Sequence, residues 1–301
     1  MPEDVLGYIK KRTEELNAII VAHYYQPPEI QDVADFVGDS LQLARKAATT
    51  RADIIVFCGV RFMAESAKIL SPEKTVILPE IEAGCPMADM ITAAELRDKK
   101  AAFPDALVVC YVNSSAEVKA ESDICCTSSN AIKVVESIPE KKKIIFVPDR
   151  NLGTFIQDLT GREMILWDGY CPVHDVLQMQ EIEGQRALHP KARVIVHPEC
   201  PPAITRTADA VCSTAGILEF VQNSPDNEFI IGTEKDFLYT LEKNCPGKAF
   251  YAARQYFECR DMKYIPLDKL ALSLEKLQYQ IEVPEDIRKK AYGSLERMIS
   301  I

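Results

Sequence analysis

The 301-residue sequence has no apolar run approaching the roughly 18 residues a membrane span requires. Its opening segment, Met1 to Asn17, is charged and amphipathic and carries no apolar signal-peptide core. Positive charge is in short supply. The formal net charge is −10, and a nucleic-acid partner needs a basic face. Small anions remain possible ligands, because helix N-termini hold them without net positive charge. Paired Cys-x-x-Cys spacing, the usual mark of a closed zinc site, is also missing. These absences point to a cytoplasmic protein with neither membrane nor nucleic acid as partner.

Cysteine itself is abundant, at ten residues. Disulfides are improbable in a reducing cytosol. Some of these thiols should then be ligands or nucleophiles, and others small buried hydrophobes. Three stand out by spacing: Cys85, Cys171 and Cys259 are 86 and 88 residues apart. Other landmarks keep the same step. Ala18, Ala106 and Ala192 open apolar, strand-like runs and are 88 and 86 apart; so are Ser40, Ser128 and Thr214. Asp53, Lys143 and Glu228 open a second set of runs, 90 and 85 apart. The period is too long for a solenoid unit. It implies a triplicated α/β domain, divided at 1–91, 92–175 and 176–301. The last division includes a charged helical tail from Leu267, expected to pack back on the surface.

Apolar strands alternating with helices give parallel sheets covered on both faces. The predicted architecture is three homologous three-layer αβα domains with small parallel sheets, arranged by pseudo-threefold symmetry around a central site. Ligands of such sheets sit beyond the carboxyl ends of the strands. Those ends carry His23-Tyr24-Tyr25, Tyr111-Val112-Asn113 and His197-Pro198-Glu199. Ser40, Ser128 and Thr214 are predicted as N-caps of the helices that follow, where anions also bind. Lys68, Arg150 and Lys263 are candidate positive charges. His174 and His189 have weaker claims; His174, three residues after Cys171, is a candidate support for that thiol.

Three thiols about a threefold axis suit a [4Fe–4S] cube, whose body diagonal is such an axis. Four cysteines are the usual complement. With three, one iron stays open to substrate as a Lewis acid. Cys245 rivals Cys259 as third ligand, because Cys245-Pro246 echoes Cys85-Pro86 and Cys171-Pro172, but it lies only 74 residues after Cys171. Cys58, Cys110, Cys125, Cys126 and Cys212 read as buried hydrophobes, and Cys200 as a residue near the cavity.

Nine ordered stretches resemble the quinolinate synthase A family over nearly the whole chain. They are Ala22–Gln26, Asp35–Ser40, Phe62–Glu65, Cys85–Ala88, Tyr111–Ser114, Pro148–Gly153, Cys171–His174, His197–Cys200, and Cys259 with Met262-Lys263. The resemblance implies a [4Fe–4S] cluster on Cys85, Cys171 and Cys259. It implies a dehydrating cyclisation: iminoaspartate condenses with dihydroxyacetone phosphate to give quinolinate, phosphate and water, on the route to NAD. The imine would come from an aspartate oxidase or an aspartate dehydrogenase. Carried over by motif, His23, Ser40, Tyr111, Asn113, Ser128, His197, Glu199 and Thr214 contact substrate. Tyr25 gates or transfers protons, and Glu199 is the candidate general base. Some members carry Cys-x-x-Cys-x-x-Cys around the third ligand; here Cys259 stands alone. Two other readings remain at this point: a three-cysteine radical enzyme resembling the one of diphthamide synthesis, and a non-catalytic iron–sulfur sensor.

Overall fold

The computed structural model describes residues 4–301. Twelve strands form three four-stranded sheets. The first holds β1 (Ala18–His23), β2 (Phe36–Gly38), β3 (Ile54–Cys58) and β4 (Thr75–Ile77). The second holds β5 (Leu107–Tyr111), β6 (Ile124–Cys126), β7 (Ile144–Val147) and β8 (Ile165–Leu166). The third holds β9 (Arg193–Val196), β10 (Ala210–Val211), β11 (Glu228–Gly232) and β12 (Ala249–Ala252). Each sheet has the same order, with its second strand outermost and its first strand beside the third: β2-β1-β3-β4, β6-β5-β7-β8 and β10-β9-β11-β12. All strand pairs within the sheets are parallel. Ile54–Cys58 is buried at every position, as expected where helices cover both faces of a parallel sheet.

One interaction recurs in every sheet. The Asp35 carboxylate accepts from Ile20 N–H at 2.8 Å, Asp123 from Val108 N–H at 2.8 Å, and Asp209 from Val194 N–H at 2.8 Å. Each aspartate in turn donates its backbone N–H to the same partner's carbonyl. Each therefore clamps the start of the short edge strand to the central strand. The clamp fixes register, and with it the residue that emerges at each strand's carboxyl end.

The hydroxyls expected as N-caps prove not to be caps. The residue before takes that role. Asp39 caps Ser40–Thr49, accepting from Gln42 N–H at 2.8 Å, and Ser213 caps Thr214–Asn223, accepting from Gly216 N–H at 3.1 Å. Ser128 lies in a turn, and its helix starts only at Ala131. The shift has a consequence: Ser40, Ser128 and Thr214 line a cavity, where Ser128 Oγ is bonded to His197 Nε2 at 3.2 Å. Two of the caps meet through the turn before the third helix: Ser129 Oγ donates to the Asp39 carboxylate and is bonded to Ser213 Oγ at 2.9 Å.

The tail does more than lie on the surface. Ile281 N–H donates to Val76 O at 2.8 Å and Leu78 N–H to Tyr279 O at 3.1 Å, covering the edge of the first sheet. Helix Glu285–Ser300 packs on Ala116–Ala120, β6 and Arg61–Leu70, burying Ala291, Leu295 and Met298. It thus joins the first two sheets. The strand expected at Glu163–Trp167 is only Ile165–Leu166, and the helix expected from Val176 begins at Met179. Among the described residues no helix is long and apolar enough to cross a membrane.

Replacing Asp123 with Ala leaves the buried Val108 N–H unpaired. The expected cost is about 1–3 kcal/mol, read as a lower urea midpoint. An unchanged midpoint would remove the clamp from the account.

Candidate active site

The carboxyl ends of β1, β5 and β9 open onto one cavity. The first domain contributes His23, Tyr25, Ser40 and Cys85. The second contributes Tyr111, Asn113, Ser128 and Cys171, and the third His197, Glu199, Thr214 and Cys259. All twelve residues singled out from the sequence are therefore brought together. The candidate cations are not. Lys68 bonds Lys74 O, and Arg150 pairs with Asp168 and Asp175. Lys263 is held by Glu234 at 2.8 Å and Asp236 at 2.6 Å, and donates to Tyr25 O. His189 stacks on Tyr251. Cys200 bonds Gly232 O, and Cys245 ends the helix Phe237–Asn244. Neither cysteine lines the cavity.

Glu199 is the hub. It is almost wholly buried. Tyr111 donates its phenol to Glu199 Oε1 at 2.6 Å, and His174 Nδ1 lies 2.8 Å from Oε2. His174 Nε2 is bonded to Thr233 Oγ1 at 2.9 Å, and Thr233 Oγ1 to the Tyr25 phenol at 2.5 Å. A continuous chain of hydrogen bonds thus runs Tyr25–Thr233–His174–Glu199–Tyr111. Burial pushes the Glu199 carboxyl up, but His197, His174 and the Tyr111 phenol outweigh it and hold it at about 2. Burial pushes His23 and His197 down to about 3, so both are neutral at pH 7. Burial, then the Glu199 charge, pushes Tyr111 and Tyr25 well above the ordinary phenol range, so both keep their protons. The cavity thus sets the Glu199 carboxylate among neutral His23, His197, Tyr25 and Tyr111, with Asp39 also on its wall. Asn113 Oδ1 is a buried acceptor with no partner in the protein, and it faces this space.

The sequence reading ranked His174 low and passed over Thr233. A signal existed: Gly232-Thr233 follows the second long strand of its repeat, the place Gly59 and Pro148 hold after β3 and β7.

The three thiols sit on loops tied to one another. Gly84 N–H donates to Asp261 Oδ1 at 3.2 Å, joining the Cys85 and Cys259 loops. Trp167 Nε1 donates to Met90 O at 2.8 Å, joining the Cys171 and Cys85 loops. Arg254 donates to Val176 O at 2.9 Å, joining the Cys171 and Cys259 sides. Gly169 permits the Cys171 loop to pass the end of β7, since a Cβ there would lie 2.5 Å from Pro148 O. Each loop turns the same way: the backbone N–H three residues on (Ala88, His174, Met262) points at its thiol. Burial nonetheless dominates. It lifts the Cys85 and Cys171 thiols far above their ordinary value and Cys259 to about 12. Three thiols gathered where ionisation is this costly fit a multinuclear metal group, whose charge would hold them as thiolates. A tighter candidate group, Cys171, His174 and Glu199, has its ligand atoms within 4.8 Å of one another. Its atoms are already bonded in the chain just described, with His174 Nδ1 3.2 Å from Cys171 Sγ.

Fold and site together define a three-domain α/β protein with a thiol-walled cavity where the domains meet. Residues 7–300 match the family model described as quinolinate synthetase A protein. The chain is 52% identical over 299 residues to a quinolinate synthase of Desulforudis audaxviator, covering 99% of each. It is 52% identical to quinolinate synthase 2 of Methanosarcina acetivorans, covering 97% of this chain and 94% of that one. It is 48% identical to a quinolinate synthase of a Nostoc species, covering 100% and 94%. The chain belongs to the quinolinate synthetase A family.

A carboxyl held below its ordinary value of 4.5 stabilises the fold above that pH, and the contribution is lost as pH falls toward 2. Across that window Glu199→Gln should lose stability less steeply with acid than the parent. Parallel acid curves for the two proteins would contradict an ionised Glu199.

Proposed function

We propose that the chain is a quinolinate synthase that condenses iminoaspartate with dihydroxyacetone phosphate to quinolinate, phosphate and water. The observation that carries this reading is the meeting of Cys85, Cys171 and Cys259 with three sets of strand-end donors in one cavity, in a chain of this family. Cys85, Cys171 and Cys259 would hold a [4Fe–4S] cluster, which would supply Lewis-acid chemistry at an iron without a protein ligand.

The protein's own groups do the rest. The substrates bring carboxylates and a phosphate, yet no Lys or Arg lines the cavity among the described residues. Ser40 and Thr214, each at the first position of a helix, offer hydroxyls at a helix N-terminus, where the backbone dipole favours an anion. His23, Ser128 and His197 add neutral donors. Asn113 Oδ1 would accept from the imine or a hydroxyl. Ring closure moves protons from carbon and nitrogen. Glu199 is ionised and able to take one. A carboxylate held this low is a weak base alone, but Tyr111 and His174 already share its oxygens and can carry a proton onward. Tyr25 closes the opposite end of the same chain, which suits a gate or a proton donor. We place the protein in the cytoplasm, where ten free thiols persist. A sensor reading finds no support in a cavity so thoroughly lined with substrate-type donors.

Anaerobic reconstitution and assay test the proposal. Parent protein and Cys245→Ala should load about four irons per chain and make quinolinate; Cys85→Ala, Cys171→Ala and Cys259→Ala should not. Tyr111→Phe and Glu199→Gln should load normally and lose about 10²–10⁴-fold in kcat. A fully loaded parent that makes no quinolinate would overturn the assignment and favour a radical chemistry.

A further inference from the structure

The three thiols have a second face. Cys85, Cys171 and Cys259 line the substrate cavity, and the same three, with Met87 and Val173, also line a second cleft. The two spaces differ in character. The inner one is walled by strand ends with buried donors. The outer one is walled by Pro86, Pro172, Val176, Arg254, Tyr256 and Arg260, none of which reaches the substrate cavity. Its rim is open: Tyr256 is 79% exposed, the highest among the exposed large apolar side chains, and Val176 is 45% exposed. Arg254 spans the rim. Its guanidinium donates to Val176 O at 2.9 Å on the Cys171 side and to Glu181 Oε2 at 3.2 Å, while its own backbone leads to Cys259.

We propose that the outer cleft is a cofactor-side entrance, through which iron reaches and leaves the three thiols while the inner cavity serves substrate, and that Arg254 is its latch. The proposal rests on the three-thiol cofactor reading above. The physical argument is one of access. A substrate seated among the strand ends covers the thiols from inside, and the outer cleft is then the space that reaches all three; Cys85 alone also lines a groove beside Arg61, Glu65 and Asp89. The Arg254 contacts are exposed hydrogen bonds, individually weak. They can open without disturbing the sheets.

The test uses the loaded protein. Iron release to a bulky, sulfonated ferrous chelator is followed by absorbance under dithionite, with and without saturating quinolinate. Arg254→Ala should release iron about tenfold faster, the factor that 1.4 kcal/mol of opening free energy corresponds to. Val176→Trp, which fills the rim, should release it severalfold more slowly. Quinolinate should leave the parent rate unchanged, and kcat of the loaded variants should match the parent. Should Val176→Trp not fold, Tyr256→Ala at the exposed rim gives a second widening variant, expected to speed release. Strong protection by quinolinate, with all rim variants releasing at the parent rate, would place the path through the substrate cavity and overturn the proposal. A protein that takes up no iron and sulfide at all would instead overturn the cofactor reading, a failure visible before any chelator is added.

Discussion

The structure turns on the burial of one charge. Glu199 is a carboxylate cut off from water, and an unpaired charge there would cost several kcal/mol. No single domain satisfies it. Tyr111 comes from the end of β5, and His174 from the loop after Cys171. Thr233 and Tyr25 continue the chain to β11 and β1. The charge is therefore tolerated only when the second and third domains are packed together, and the first domain joins the same chain through Tyr25. Burial and then the Glu199 charge keep both tyrosines protonated, while His197, His174 and the Tyr111 phenol keep Glu199 ionised, the division of labour that the proposed cyclisation needs.

Threefold repetition explains how such a site arises from a short chain. The Asp35, Asp123 and Asp209 clamps set one register in three sheets. Each central strand then ends at the same depth. Each loop further on presents a thiol with a backbone N–H aimed at it from three residues ahead. Symmetry supplies the three thiols. Departures from symmetry supply the chemistry: His, Tyr and His occupy equivalent strand ends, and only the third repeat carries Glu199. The C-terminal helix breaks the symmetry again by bridging the first two domains, with Asn130 Nδ2 donating to Met298 O at 2.9 Å. That bond braces the turn that presents Ser128.

Most of the fold was legible because it is local and periodic. Apolar runs such as Ile54–Cys58 and Ile144–Val147 announce buried parallel strands, and the repeat multiplied each weak signal by three. The cavity residues were legible for the same reason, since strand ends are fixed once strands are. Interactions across domains were not. Nothing local marks Thr233 as the link between Tyr25 and His174, or Lys263 as the clamp on the Tyr25 carbonyl. The N-caps were misplaced by one residue because Asp39-Ser40 and Ser213-Thr214 each offer two capable side chains, and only the geometry of the turn chooses. The tail looked like surface because its charged face dominates the sequence; its buried face, Ala291, Leu295 and Met298, is narrow.

The central claim is that three cavity-facing thiols leave one iron open to whatever sits among the strand ends. Mössbauer spectroscopy of protein loaded with ⁵⁷Fe tests it directly. The account predicts that adding quinolinate or a small dicarboxylate shifts one iron of the four, and that Asn113→Ala or Glu199→Gln weakens the shift. Four irons that stay equivalent, with and without ligand, would contradict it.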